Sequence, residues 1–323
     1  MEQLLRALLA LPEAREAAQA LREGPCAVAI TGLAPIHRSQ MAAALSLAAG
    51  KPPVVLCADE GECARMAEDL RSLTGREVLT IPARELYHAA GAVTSREFDL
   101  QRLAALCVLL EGWEGPVVAT VEAMLQRTGT REALLGAVRT LAVGERFDLE
   151  ALARDLAAAG YTRCDQVEGV GQFALRGGIL DVFSPGMDQP VRCDFFDDEI
   201  DAMGVFDTLT QRRLRNVDRV RLLPVTELLG EARSSVFSLM GEGRALFLCE
   251  SGRLAERVKG VLWQAREDTE SLLERGEGAD LTALLLRERE WEEALEAASL
   301  CMMDALPTSR YPVAPTALLS VTA

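Results

Sequence analysis

The chain has 323 residues, 49% of them hydrophobic and 26% charged, and a formal net charge of −15. That size and mix describe a chain of two or three domains, each able to bury its own core. The acid excess is spread along the whole length, so the cationic footprint that duplex phosphates require is missing. No apolar run approaches the roughly 18 residues of a membrane span. The opening MEQLLRALLALPEAREAAQAL lacks the basic start and clean apolar stretch of a signal peptide, so a cytoplasmic location is expected.

In chain order, residues 1–21 read as an amphipathic helix interrupted at Pro12. From 26 to 140, apolar runs alternate with helical periods. Strands are predicted at 26–30, 53–57, 77–81 and 116–120, helices at 39–49, 60–73 and 96–110, and a further helix opening at 121–126. Strands without polar alternation, separated by helices, imply a parallel sheet covered on both faces. A helix at 148–159 has Asp148 as N-cap and Gly160 just past its end.

An antiparallel β unit follows. Phe173 and Leu175 alternate around Ala174, Arg176-Gly177-Gly178 breaks the run, and Ile179-Leu180-Asp181-Val182-Phe183 resumes it. Ser184-Pro185-Gly186 turns the chain, 191–196 returns it, and Asp197-Asp198 turns it again into 200–206. Short strands between Pro, Gly and Asp turns are the hairpin signature. After Leu222-Leu223-Pro224 come a buried strand at 244–249, a long helix at 250–273, a polar linker at 275–280 and a further segment at 281–300. The tail PTSRYPVAPTALLSVTA shows no obvious element and reads as a boundary. The simplest architecture is an α/β parallel-sheet domain (1–140 and 223–323) interrupted by a small α+β antiparallel domain (141–222).

The eight cysteines form no C-x-x-C pair, and only His37 and His88 supply imidazoles, so a metal site is not expected. Cysteines set among apolar residues read as reduced thiols packed as small hydrophobes. Asp181, Asp194, Asp197, Asp198, Glu199 and Asp201 read as solvated carboxylates of turns and strand edges, with no histidine nearby. The arginine-rich run QRRLRNVDRVR at 211–221 reads as a solubilising connector.

The order Y-x-R-x-D-Q, F-x-x-R-G-G-I-L-D-V-F, R-x-D-F-F-D-D-E-I and V-F-D resembles the small inserted domain shared by bacterial UvrB and the transcription-repair coupling factors. The resemblance is specific from about 140 to 225 and reaches more loosely from 25 to 300. It implies a degenerate helicase-like (RecA-type) domain interrupted by a domain that docks onto UvrA. It also implies Arg163 and Arg176 as charged contacts, with Phe173 as a partial interface residue. Gly177 and Gly178 leave the backbone uncovered for close approach. Where UvrB has a further arginine, this chain has Ala174.

The same comparison sets 28–37 (VAITGLAPIH) in the place of a phosphate-binding loop. Gly32 remains, but the second glycine and the lysine are gone, His37 or Arg38 stands near the lysine's place without the rest of the cradle, and Pro35 lacks an N–H. No ATP is therefore expected to bind here. UvrB's aromatic strand-separating hairpin is reduced to 81–96, with Tyr87 its one aromatic, so DNA opening is not expected. The resemblance places ATP, magnesium, DNA and RNA polymerase with domains downstream of residue 323. It leaves the chain as the N-terminal piece of a longer protein or a stand-alone relic. The alternative reading is a UvrB-like or helicase-like ATPase with an unorthodox nucleotide site.

Overall fold

The computed structural model describes residues 2–86, 97–228, 231–276, 280–308 and 310–321. The reduced hairpin with Tyr87 lies largely outside them. The chain divides into two compact units.

The first unit comprises Met1–Thr94, Gly112–Arg127 and Ser235–Ala323. Its centre is a seven-stranded sheet in the order Ala317–Ser320, Cys26–Thr31, Ser299–Met303, Ala245–Cys249, Pro53–Cys57, Val117–Thr120, Leu79–Ile81. Every neighbouring pair is parallel. The inner strands Pro53–Cys57, Ala245–Cys249 and Ser299–Met303 are buried at all five positions, as strands covered on both faces must be. One face packs on Pro12–Glu23, Pro35–Ala49 and Glu60–Thr74 through Leu21, Met41, Leu45 and Leu70. Ser251–Glu274 packs on the Ala245–Cys249 strand and on the short helix Val121–Leu125.

Three expectations change here. The helix placed at 39–49 begins at Pro35, which occupies the first turn, where its missing N–H and fixed φ cost nothing. The segment 281–300 is a 3₁₀ turn (Leu281–Leu284), a helix (Glu288–Glu296) and the start of the central strand Ser299–Met303. The tail read as a boundary contains Ala317–Ser320, an edge strand pairing residue for residue with Val28 to Thr31.

The second unit comprises Ser95–Glu111 and Thr128–Ser234. Six strands lie in the order Arg213–Asn216, Glu199–Phe206, Val191–Phe196, Ile179–Phe183, Gln172–Arg176, Thr162–Arg163. All pairs are antiparallel except the last. Asp148 caps Leu149–Ala158 by accepting from the Ala151 N–H at 2.9 Å. That helix lays Leu152, Ala153 and Leu156 on the inner face of the sheet, against Phe173, Leu180, Val182, Cys193, Ile200 and Met203.

Tyr161 is buried beside the same core, and its hydroxyl donates to the Leu223 carbonyl at 2.6 Å. Burial pushes its pKa above the ordinary phenol value. In the helix Glu97–Leu110, the fully buried Arg102 pairs with Glu227 at 3.0 Å. The arginine-rich run is structured rather than a connector. Arg213–Asn216 is the exposed edge strand, and Arg219–Leu222 pairs with Arg139–Ala142. Cationic side chains on an edge strand discourage pairing with another chain.

Candidate partner-binding surface

Side chains alternate across a strand, so the register divides the second unit's sheet into two faces. Phe173, Leu175, Leu180 and Val182 point inward to the helix. Ala174, Arg176, Ile179, Asp181, Arg192, Asp194 and Phe196 share the outer face through the pairs Ala174 with Asp181, Arg176 with Ile179, Arg192 with Asp181 and Asp194 with Ile179.

The outer face is a ladder of opposite charges. Asp181 is only 1% exposed and holds two arginines. Arg192 meets it with both ends of its fork, Nε to Oδ1 at 2.6 Å and Nη2 to Oδ2 at 2.8 Å, while Arg176 Nη2 reaches Oδ2 at 2.6 Å. Arg192 also lies 4.5 Å over the Phe206 ring and donates to the Gln211 side chain at 3.0 Å. The hydrogen bonds to Asp181 push its guanidinium pKa up from the ordinary value. Arg213 pairs with Asp194 in the next rung. Arg176 spends one nitrogen on Asp181, and its side chain stays 48% exposed. A planar fork held at one edge is suited to meeting a carboxylate with the other.

Gly177 and Gly178 make the two-residue turn beside Arg176. Gly177 has φ 59°, which L side chains rarely adopt. At Gly178 a Cβ would lie 2.9 Å from the Phe195 carbonyl oxygen. The Phe195 N–H donates to the Gly178 carbonyl at 2.7 Å, which pins this turn to the neighbouring strand. Both glycines are exposed.

The remaining expected residues lie elsewhere. Phe173 is 1% exposed, so its ring is core and not interface, because alternation sends it under the helix. Arg163 is exposed on the edge strand, but its register with Phe173 puts it on the face opposite Arg176. Asp181, read as solvated, is buried. Alternation does place it outward, but Arg192 and Arg176 then cover it, and no local pattern announces that.

The loop set against the phosphate cradle belongs to the first unit. Gly32 has φ 87°, and its N–H donates to the Ala305 carbonyl at 3.2 Å. The Leu33 N–H donates to the Asp304 carbonyl at 3.1 Å. His37 is exposed on the first turn of Pro35–Ala49. The buried Arg38 pairs with Glu250 and lies 3.6 Å from Glu62. Glu250 itself adopts φ 60° and accepts from the Ala305 N–H at 3.2 Å.

Among the described residues, Cys57, Glu62 and Cys249 stand close enough to share an ion. Cys57 and Cys249 are buried thiols, and the neighbouring Cys249 and Cys63 thiols together with burial raise the Cys57 pKa.

Residues 140–228, the greater part of the second unit, match the family model of the UvrB interaction domain. The chain is related to transcription-repair-coupling factors. It is 32% identical to that of Myxococcus xanthus over 262 residues, which is 79% of this chain and 21% of the relative. It is 32% identical to that of Escherichia coli K12 over 176 residues (54% and 15%) and 31% to that of Bacillus subtilis 168 over 210 residues (65% and 18%). The chain thus spans about a fifth of the length of these relatives.

Proposed function

We propose that the chain is the N-terminal UvrB-homology module of a transcription-repair coupling factor. In this reading it recruits UvrA for transcription-coupled nucleotide excision repair in the cytoplasm. The observation that carries the reading is that the family match falls on the unit whose outer face holds Arg176, half free, on a buried carboxylate. The first unit is then a RecA-type helicase-like domain without nucleotide chemistry, with the second inserted into it. Supporting this, the two amides nearest Gly32 already donate to backbone carbonyls, and Arg38 is held by carboxylates. Catalytic residues, ATP, magnesium, RNA polymerase and DNA belong in this reading to the rest of a longer protein.

Capture of purified UvrA by the immobilised chain tests the docking. Arg176→Glu, the obvious reversal, would set a second carboxylate against Asp181 and confuse lost binding with lost fold. Arg176→Ala is the better variant, because Arg192 still neutralises Asp181 bidentately. It should weaken UvrA capture by about tenfold or more, the scale of a hot-spot arginine. Arg289→Ala, at a side chain 87% exposed in the first unit, should leave capture unchanged. Capture by Arg176→Ala equal to the parent's would remove the outer face from the interface.

A further inference from the structure

We propose that Cys57, Cys63, Cys249 and Glu62 form a buried zinc site that clasps together two stretches of the first unit lying far apart in sequence. No paired-cysteine spacing announces it, because the four residues come from three elements. Cys57 and Cys249 each end a strand, Pro53–Cys57 and Ala245–Cys249, and these strands are parallel neighbours in register up to Leu56 and Leu248. Glu62 and Cys63 stand in the opening of the helix Glu60–Thr74 that follows the first of them. Cys57, Glu62 and Cys63 thus precede the second unit in the chain, and Cys249 comes after it.

The geometry is close to what a four-coordinate ion needs. The donor atoms of Cys57, Cys249 and Glu62 all lie within 4.8 Å of one another. The Cys57 thiol also meets the Cys63 thiol. Sulfurs on a tetrahedral zinc stand about 3.8 Å apart, so small rotations of the thiols close the set. All three cysteines are free and at most 1% exposed. Three sulfurs and one carboxylate suit zinc rather than magnesium or calcium, which take oxygen ligands.

The surroundings supply what a ligating Glu62 requires. The Ala58 N–H donates to its Oε2 at 3.2 Å, and Arg38 and Arg253 each lie 3.6 Å from its carboxylate. Metal-bound carboxylates are held by outer partners in this way. Four anionic donors exceed the two charges of the ion, and these arginines offset part of the excess. Arg38 Nε is buried without a hydrogen-bond partner among the described residues, so this corner keeps a donor that its resident acids leave unsatisfied. Binding exchanges protons for metal: each thiol releases its proton to solvent as a sulfur–zinc bond forms, and no oxidation state changes. The loop closed between Cys57 and Cys249 contains the whole sequence of the second unit, and cross-links over long loops constrain the unfolded chain most.

The experiment strips the purified, reduced chain with a chelator and returns zinc chloride. It reads bound zinc per chain, competition against a chromophoric chelator, and thermal unfolding. Cadmium chloride replaces zinc in a parallel titration, where thiolate ligation is read as ultraviolet charge-transfer absorption. The parent should hold a single zinc, melt higher with it, and show the cadmium absorption. Cys249→Ala should weaken zinc about a hundredfold or more, and Glu62→Gln about tenfold or more. Cys193→Ala, at an equally buried cysteine of the second unit, should bind as the parent does. A parent without stoichiometric zinc, or with zinc but no cadmium absorption, overturns the site whether or not the variants fold. A folded Cys249→Ala that binds zinc within about twofold of the parent overturns it as well.

Discussion

Asp181 shows how far one side chain can depart from its local pattern. In Ile179-Leu180-Asp181-Val182-Phe183 it alternates outward, as a solvated residue should, yet it is 1% exposed because two arginines close over it. Truncating one partner of a buried charge cluster strands the others, typically at a cost of about 3 kcal/mol or more. Asp181→Ala should therefore lower urea-unfolding stability by that order, leaving Arg192 uncompensated over Phe206. Asp194→Ala removes a half-exposed partner of Arg213 and should cost under about 1 kcal/mol. Equal losses for the two variants would refute the idea that burial separates them. The sequence made Arg176 legible through its place in R-G-G. Its anchoring by Asp181 was not legible, because that depends on a third residue, Arg192, on another strand.

Legibility among elements follows burial. Pro53–Cys57 was read at its observed bounds, since a fully buried run bounded by turn residues has a clear outline. Ser299–Met303 is as fully buried, but it directly follows the amphipathic helix Glu288–Glu296, and a short apolar run there cannot be told from more helix. Ala317–Ser320 alternates between half-buried and exposed and is recognisable only by its pairing with Cys26–Thr31. That pairing explains Gly32. Its φ of 87° is one that L side chains rarely adopt, and a Cβ there would fall onto the Val321 carbonyl oxygen. Gly32→Ala should displace the end of this strand at a cost above about 1 kcal/mol. Hydrogen exchange is the direct readout. The Val321 amide, which donates to Thr31 at 3.0 Å, should lose protection while the Pro53–Cys57 amides keep theirs. Unchanged exchange at Val321 would mean that the loop has room to spare.

For the whole molecule, the α/β and antiparallel β parts were readable from periodicity and turn chemistry. What was not readable is that the helix Glu97–Leu110 groups with the β unit, because its anchor, the Arg102 pair with Glu227, joins residues far apart in sequence. The prediction at this scale concerns nucleotide. Millimolar ATP with magnesium should leave the melting temperature of the chain unchanged, since a ligand stabilises only through binding to the native state. A saturable upward shift, lost in Arg38→Ala, would establish a nucleotide site and revive the ATPase alternative. The setting of Arg38 carries a last consequence. Its guanidinium is held by Glu250 and lies near Glu62, and the neighbouring Ala305 amide donates to Glu250, so this corner of the fold brings its own anion. Introducing a glycine and a lysine at residues 34–37 would change the spelling of the loop without evicting that resident carboxylate, so sequence alone would not make an anion site here.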